Sequence, residues 1–341
     1  MPRFSVAVIP ASLIDHATSP AVTKVRKLLV MAAGPLARRW RRRSLPAVRP
    51  PLIMTLLVKN EADIVDQNLR FHLAMGVDHV IATDNGSTDG TLEILQEHQR
   101  QGTLTLIEEP AQNYAQAAWV NRMADRAYEA FGSCLIFHCD ADEFWRSRSG
   151  NLKNELSLYP LVACLDVNIQ NVMLRFRGYE ERFPDDAVLR VHRPLPATHV
   201  QRDSLARAFY LFAYPNKVFY RARGHMPHVT DGNHRLVGQT RYLCRPSTDI
   251  EVAHIPLRGL EQFRRKVSQG GSAVASNPDL PPQLAWHWRR WYQDLQDGRL
   301  EQTYRKLVLD GAEAALVAAE GLLVVDESLT QRFWPQPRPT D

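Results

Sequence analysis

Two aspartates separated by one residue carry the clearest chemistry in this sequence. Asp140 and Asp142 follow the apolar run 134–139 directly, and such a short run is typical of a buried central strand. Open α/β sheets bind their ligands at the carboxyl ends of their strands. Carboxylates are preferred ligands of Mg²⁺ and Mn²⁺, which keep positions open for phosphate oxygens. The pair therefore indicates a metal-assisted phosphate site, with an acidic turn in solvent as the alternative.

Polar residues also follow the two preceding predicted strands. The first strand, 52–58, leads into Asn60 and Glu61, and the second, 77–83, leads into the Asp-Asn-Gly-Ser-Thr-Asp-Gly-Thr stretch 84–91. Asn-Gly and Asp-Gly favour tight turns, so plain connections to helices are the alternative. Because the carboxyl ends of parallel strands line one edge of a sheet, three coincident polar ends predict a nucleotide site.

Taken in order, the stretches 58–62, 84–91 and 140–144 resemble a family 2 glycosyltransferase with a GT-A fold. They resemble in particular the bacterial branch that carries an Asp-x-Asp-Glu-Phe signature. The resemblance is strong over about residues 52–146 and continues more weakly as far as 254–263. It implies an α/β fold in which a Rossmann-like mixed sheet is flanked by helices, with further helices at the C-terminus. It also implies a nucleotide-diphosphate-sugar donor and a divalent metal, Mn²⁺ or Mg²⁺.

The resemblance also assigns roles to individual residues. Asp142 would hold the metal, Asp140 would contact the metal or the ribose, and His254 would be a third ligand. Three cations would neutralise the diphosphate as it gains charge in the transition state; these are Lys217, Arg258 and Lys266. The remaining nucleotide contacts would come from the strand-end residues Asn60, Glu61, Asp84, Asn85, Ser87 and Asp89. A surface base or a structural histidine is the ordinary alternative at each basic position.

An inverting transfer also needs a general base within hydrogen-bond reach of the acceptor hydroxyl. Asp231 and the nearby His234 are our candidates. The segment 178–215 lacks periodicity and is typical of a binding loop or lid. It contains four competing carboxylates, Glu180, Glu181, Asp185 and Asp186.

The rest of the chain alternates predicted strands and helices. Residues 51–150 would form the donor-binding half, 151–275 the acceptor-binding half and 276–341 a helical extension. Helices are predicted over 61–75, 90–101, 113–131 and 259–275 and through 283–325, and strands over 161–167 and 172–176. The four cysteines lack Cys-x-x-Cys spacing, so we expect reduced, mostly buried thiols in a cytosolic protein, with one disulfide pair as the alternative.

The basic charge of the chain is concentrated in its first 50 residues. Residues 1–50 hold ten Lys or Arg and one acid, a net +9, whereas the whole chain carries +5 and the remainder therefore −4. This distribution argues against a nucleic-acid-binding fold. Within 24–43, an apolar run too short to span a membrane precedes an arginine cluster. The arm is predicted to attach peripherally to anionic lipid on the inner face of the cell membrane, with a disordered tail as the alternative.

The expected function is metal-dependent sugar transfer to a bacterial surface glycan or glycolipid, with inversion and in the cytoplasm. One alternative is a non-catalytic nucleotide-sugar-binding or scaffold protein on the same fold, because fold does not fix function. Another is a haloacid-dehalogenase-like phosphatase, which also places Asp-x-Asp after a strand. That motif requires Thr or Val where this chain has Phe144.

Overall fold

The structure is a computed structural model that describes residues 49–111, 115–174, 187–196, 208–275 and 286–326. The basic arm up to residue 48 lies outside the described residues. The four competing carboxylates at 180–186 also lie outside them.

Strands and helices alternate through the first half of the described chain. The strands are β1 (Leu52–Val58), β2 (His79–Asp84), β3 (Leu104–Glu108), β4 (Cys134–Cys139), β5 (Glu143–Ser147), β6 (Cys164–Val167), β7 (Ile169–Leu174), β8 (Ala187–Val191), β9 (Lys217–Ala222), β10 (Cys244–Pro246), β11 (Ile250–His254) and β12 (Leu323–Val325). The helices are α1 (Val65–Ala74), α2 (Thr91–Arg100), α3 (Gln116–Phe131), α4 (Lys153–Ser157), α5 (Leu260–Ala275), α6 (Trp286–Gln296), α7 (Leu300–Leu307) and α8 (Gly311–Ala319).

A mixed sheet carries the predicted strand ends. In the described residues its order is β10-β6-β9-β4-β1-β2-β3, and β3, β2, β1 and β4 run parallel. β1 and β4 are continuous apolar runs because both faces of these central strands are covered. The carboxyl ends of β1, β2 and β4 therefore share one edge. The predicted mixed α/β sheet flanked by helices is confirmed.

A second sheet begins immediately after the two aspartates. Its order in the described chain is β12-β8-β7-β11-β5, and β11 pairs antiparallel with β5. In this register His254 lies opposite Glu143. The last residue of β11 is thereby brought beside the Asp140–Asp142 motif, although it is more than 100 residues away along the chain.

The prediction of helix through 283–325 is wrong for the last three of these residues. Helices α6, α7 and α8 lie within the predicted region, but 323–325 form strand β12, which pairs with β8. Gly321, with φ of +76°, ends the helical path before this strand. The pairing partner is more than 100 residues away in sequence, so local periodicity could not indicate it.

The prediction that all four cysteines are reduced is also wrong. Cys164 and Cys244 form a disulfide, whereas Cys134 and Cys139 are buried free thiols. β6 and β10 pair in parallel with these two residues opposite each other, and their Cα atoms lie 4.6 Å apart. The pairing joins positions 80 residues apart, which sequence spacing does not reveal. Cysteine usage therefore no longer supports a cytosolic location. Separately, no helix among the described residues has the length and apolarity needed to cross a membrane.

Candidate functional site

Side chains at the ends of β1 and β2 bind the two loops to each other. The Asn60 amide donates to Ser87 Oγ at 2.9 Å, and Asn60 Oδ1 accepts from the Thr88 amide at 2.7 Å. The Ala62 amide donates to Asp89 Oδ2 at 3.1 Å. Asn60 has a φ of +55°, a left-handed conformation that Asn tolerates better than most residues. Three predicted nucleotide contacts, Asn60, Ser87 and Asp89, thus already hold this edge of the sheet in shape.

Asp84 keeps one carboxylate oxygen without a partner. Its Oδ2 accepts from the Ser87 amide at 2.9 Å, whereas Oδ1 is buried and has no hydrogen bond among the described residues. The Asn85 amide group, in contrast, donates to the carbonyls of Glu109 at 3.0 Å and Ala111 at 2.6 Å. A buried acceptor without a donor is costly, so Asp84 has a stronger physical reason than Asn85 to bind a ligand.

Asp140 is paired with a buried lysine. Lys217 Nζ lies 2.7 Å from Asp140 Oδ2 and 2.7 Å from Glu143 Oε1. Burial alone would lower the pKa of Lys217, but the two carboxylates raise it above its usual value. Sequence reasoning gave Glu143 no role, although it stands within the signature. The ion pairs show that it helps to fix the ammonium group that orients Asp140.

Asp142 collects three basic groups. Lys266 Nζ bonds to its Oδ2, which also lies 3.8 Å from His254 Nε2 and 3.9 Å from Arg258 Nη1. Burial alone would raise the pKa of Asp142, but Lys266, His254 and Arg258 together hold it well below its usual range. The carboxylate is therefore ionised at neutral pH. The structure brings together four of the predicted site residues here, around Asp142.

A side-chain amide fixes the tautomer of His254. Asn171 Nδ2 donates to the Tyr210 carbonyl at 2.8 Å, so its Oδ1 accepts the hydrogen bond that His254 Nδ1 donates, also at 2.8 Å. The lone pair of His254 therefore resides on Nε2, which faces Asp142. Burial lowers the pKa of His254 to about 4, so the imidazole is neutral at pH 7.

Asp142 and His254 fit part of a divalent metal shell. A carboxylate and a neutral imidazole suit Mn²⁺, and the bond from His254 to Asn171 is the outer-shell contact that such a ligand usually makes. Within the described ranges, no group of three or more His, Cys, Asp or Glu side chains could hold a metal by itself. A metal here would need oxygens from a diphosphate or from water to complete its coordination.

Arg258 joins the end of β1 to the element that follows β11. Its Nη2 bonds to Glu61 Oε2, and its Nε donates to Asp63 Oδ2 at 2.7 Å. The Arg258 side chain is fully buried, and burial raises the pKa of Glu61 against the effect of Arg258. Sequence reasoning missed Asp63, although it lies only three residues after Asn60 in the first strand-end stretch.

Exposure separates the three predicted diphosphate cations. All three are bonded to carboxylates, but the Lys217 and Arg258 side chains are 3% and 0% exposed, whereas Lys266 is 29% exposed. Lys266 is therefore the cation of the three that a ligand can reach without breaking into the protein. Lys217 and Arg258 hold the acidic residues around it.

Two residues of α1 hold the Asp140–Asp142 turn from behind. Asn68 Nδ2 donates to the carbonyls of Ala141 at 3.0 Å and Glu143 at 2.7 Å. His72 Nδ1 donates to the Asn68 carbonyl, and its Nε2 accepts from the Trp145 amide at 3.0 Å. Burial lowers the pKa of His72 to about 3, which keeps that acceptor available. Apolar periodicity gave no sign of this role, because both residues lie on the buried face of a helix.

The two predicted general bases lie on one turn. Residues Asp231–Asn233 form a single 3-10 turn, and the structure does not describe the Asp231 side chain. His234 Nδ1 donates to the Asn216 carbonyl at 3.0 Å, so Nε2 carries the lone pair. Burial lowers the pKa of His234, and the positive charge of Lys217 lowers it further, whereas the negative charge of Asp140 opposes the shift. His234 is thus a neutral acceptor near the Asp140–Lys217 pair.

A cavity of about 370 Å³ opens at this edge of the sheet. Its lining combines charged and polar residues with two tryptophans and includes Lys59, Glu61, Asn85, Lys266, Trp119 and Trp288. Trp119 belongs to α3 and Trp288 to α6, so helices from both halves of the chain close the cavity. Neither tryptophan is among the site residues that the sequence predicts.

Solved structures resemble this chain only weakly. One is S. aureus TarS 1-349 in complex with UDP-GlcNAc, at 11% identity and a TM-score of 0.35, covering 77% of each chain. A second is the same protein with UDP, at 12% identity and 0.34, covering 68% of this chain and 67% of that one. A third is a 4-diphosphocytidyl-2C-methyl-D-erythritol synthase, at 12% and 0.26, covering 40% and 68%. These TM-scores are too low to assign a function to this chain. No curated protein matches the chain.

A family model gives the informative match. Glycosyl transferase family 2 matches residues 56–199, a segment that begins within β1 and contains the ends of β1, β2 and β4. The Asp142 carboxylate, the partnerless oxygen of Asp84 and Glu61 all lie inside it. Lys217, His254, Arg258 and Lys266 come from the chain beyond it. The segment that supplies the acidic edge of this site is therefore the part of the chain that is similar to glycosyl transferase family 2.

Proposed function

We propose that the protein transfers a sugar from a nucleoside diphosphate donor to an acceptor hydroxyl. One observation carries the proposal. Lys266, a partly exposed cation, bonds to the buried Asp142 at the polar part of a cavity that the family 2 strand ends line. A cation and planar aromatic side chains that line one cavity suit the charged and the planar parts of a nucleoside diphosphate.

In the proposed reaction the acceptor oxygen attacks the anomeric carbon of the donor sugar. The bond from that carbon to the diphosphate oxygen breaks, and the configuration inverts. Negative charge then gathers on the departing diphosphate, where Lys266 can stabilise it. Arg258 and Lys217 have an indirect role, because they fix the positions of the carboxylates Asp63 and Asp140. The acceptor would be a glycan or glycolipid of the bacterial surface.

The acceptor proton must pass to a base. His234 is neutral, and its Nε2 is an acceptor because its Nδ1 donates to Asn216. We propose it as a candidate base, together with Asp231, because the two residues flank one short turn and the pKa of His234 responds to the Asp140–Lys217 pair. His234→Gln removes the basic nitrogen and separates this role from donor binding.

A divalent metal, Mn²⁺ or Mg²⁺, would be held by Asp142 and His254, with Asp140 as the further predicted ligand. Such a metal neutralises diphosphate charge as a Lewis acid when bound. Asp140 is already paired with Lys217 and Asp142 with Lys266, so a direct metal bond to either carboxylate would compete with its ion pair. Because the described residues offer an incomplete shell, we expect Mn²⁺ to bind more tightly in the presence of a nucleoside diphosphate than alone.

Thermal unfolding against a panel of nucleoside diphosphate sugars with Mn²⁺ tests the function. A ligand present at 100 times its dissociation constant stabilises the native state by about 2.7 kcal/mol. A donor that raises the melting temperature should then release nucleoside diphosphate when an acceptor glycan is added. Binding without any turnover would favour the non-catalytic alternative. The absence of any stabilising donor would contradict the proposal.

We expect His254→Ala to raise the Mn²⁺ concentration needed for half-maximal turnover. The change removes the imidazole nitrogen that faces Asp142, so metal affinity should fall by more than the roughly 10- to 100-fold that losing an outer-shell partner of a ligand already costs. His228→Ala is a suitable control, because His228 is an exposed histidine paired with Asp125 away from the cavity. Equal metal requirements in the two variants would remove His254 from the metal shell.

We also propose that the basic arm binds anionic membrane. Deleting 1–48 should leave donor binding intact and weaken cosedimentation with acidic liposomes, since each basic residue near such a surface contributes about 1 kcal/mol. Raising the salt concentration should likewise weaken the cosedimentation of the full chain with acidic liposomes, because salt screens the attraction. If the truncated protein cosediments as well as the full chain, the arm is not the anchor.

A further inference from the structure

The cavity wall opposite the family 2 strand ends is built by a pair of packed helices. Trp288, on α6, lies against Gly270 of α5, and both residues line the cavity. A Cβ atom at Gly270 would lie 3.0 Å from Trp288 Cε3 and 3.2 Å from Cδ2 and Cζ3. The indole therefore occupies the space that a side chain at position 270 would need.

The next residue of α5 allows an even closer approach. A Cβ atom at Gly271 would come within 2.4 Å of Tyr292 Cβ, so any side chain there would push α6 away. Glycine costs helix stability of about 1 kcal/mol relative to alanine at an interior position. Two consecutive glycines in a 16-residue helix have a packing reason here, because they let α6 lie directly on α5.

The cavity side of α5 changes character within one helical turn. Lys266, whose ammonium group bonds to Asp142, stands four residues before Gly270, a separation of about 6 Å along the helix axis. Position 266 carries a cation that a ligand can reach, and the Trp288 indole of α6 lies against position 270. A ribose spans a comparable distance between its phosphate and its base. The Trp119 indole lines the same cavity from α3.

The other face of α6 supplies no comparable feature of this cavity. Trp291 is 5% exposed and packs against Phe263 of α5, with ring centroids 5.3 Å apart. Trp286 lines a separate cavity of about 330 Å³ on the far side of α6. Of the tryptophans of α6, Trp288 is the one that borders the family 2 strand ends.

We infer that Trp288 is the stacking surface for the nucleobase of the donor, and that α6 is therefore part of the donor site. The inference rests on the proposed function and deepens it, because it assigns donor recognition to a helix outside the matched segment 56–199. Stacking on an aromatic ring accepts any base, so Trp288 supplies affinity. Polar groups around the cavity are left to select the base.

The test uses the full chain and titration calorimetry with uridine, cytidine, adenosine and guanosine diphosphates in Mn²⁺. For the diphosphate that the wild type binds most tightly, Trp288→Leu should raise the dissociation constant about tenfold or more. Trp288→Phe keeps an aromatic face and should bind close to wild type. Trp286→Leu is the matched control on the same helix and should not change affinity.

Each other outcome overturns the inference in a recognisable way. If Trp288→Leu binds as wild type does, or Trp288→Phe binds as poorly as Trp288→Leu, the indole does not stack on the base. An equal loss in Trp286→Leu would show that α6 acts only through packing. If the wild type binds none of the four diphosphates, the proposed function fails and this inference fails with it.

Discussion

Asp142→Asn should abolish metal-dependent donor binding and reduce turnover by about 100- to 1000-fold, while the protein stays folded. The size follows from what one group that stabilises transition-state charge contributes in other enzymes. Asp142 is buried; one of its carboxylate oxygens bonds to Lys266 and lies 3.8 Å from His254 Nε2 and 3.9 Å from Arg258 Nη1. Asparagine keeps the shape but removes the charge, so Lys266 loses the partner that positions it. Lys266 is partly exposed and can turn to water, which limits the cost to the fold.

Calorimetry of a nucleoside diphosphate with and without Mn²⁺ measures this effect. Wild type should gain affinity when Mn²⁺ is added, and Asp142→Asn should not. Asp125→Asn provides the control, because that carboxylate is half exposed and paired with His228 on a different surface. If Asp142→Asn shows the same Mn²⁺-dependent gain as wild type, the metal assignment is wrong.

Local pattern was enough to predict the central strands and their acidic ends. The predicted runs 52–58 and 134–139 have the same bounds as β1 and β4, because parallel strands covered on both faces are unbroken apolar segments in the sequence. The edge position of Asp84 and Asp142 then follows, since parallel neighbours end together. These are properties of consecutive residues, which a single sequence displays.

The partners of those acids could not be found in the same way. Lys217 reaches Asp140 across 77 residues, and Lys266 reaches Asp142 across 124. Such pairs exist only because β9 and β11 join the sheets next to β4 and β5. Sequence reasoning named these lysines as diphosphate cations through a resemblance. The sequence alone does not indicate that the Lys217 ammonium group is already paired with Asp140 and Glu143.

The same limit explains the two errors in the fold. The disulfide joins Cys164 to Cys244, and β12 joins β8, each through a pairing between distant segments. The packing of Trp288 on Gly270 was hidden for a related reason. A glycine pair within a helix reads as a weak point until the neighbouring helix is seen.

Arg258→Met should cause the largest loss of stability, about 3–5 kcal/mol in the free energy of unfolding. Removing one partner of a buried ion pair leaves an uncompensated buried charge, and that cost exceeds the worth of the pair itself. Arg258 is fully buried, and its guanidinium group bonds to Glu61 and Asp63 at the end of β1. Glu61 is only 14% exposed, so water could not replace the lost partner well.

Urea unfolding of Arg258→Met and of Arg264→Met separates this effect from a general loss of charge. Arg264 lies on α5 and pairs with Glu261 at 3.4 Å, but both side chains are exposed, so its loss should cost below about 1 kcal/mol. Adding Glu61→Gln to Arg258→Met should recover part of the stability, because it removes the stranded carboxylate. If the double variant is no more stable than Arg258→Met alone, the loss arises from packing of the arginine stem. The ion pair between Arg258 and Glu61 would then not be the interaction that joins the loop after β11 to the end of β1.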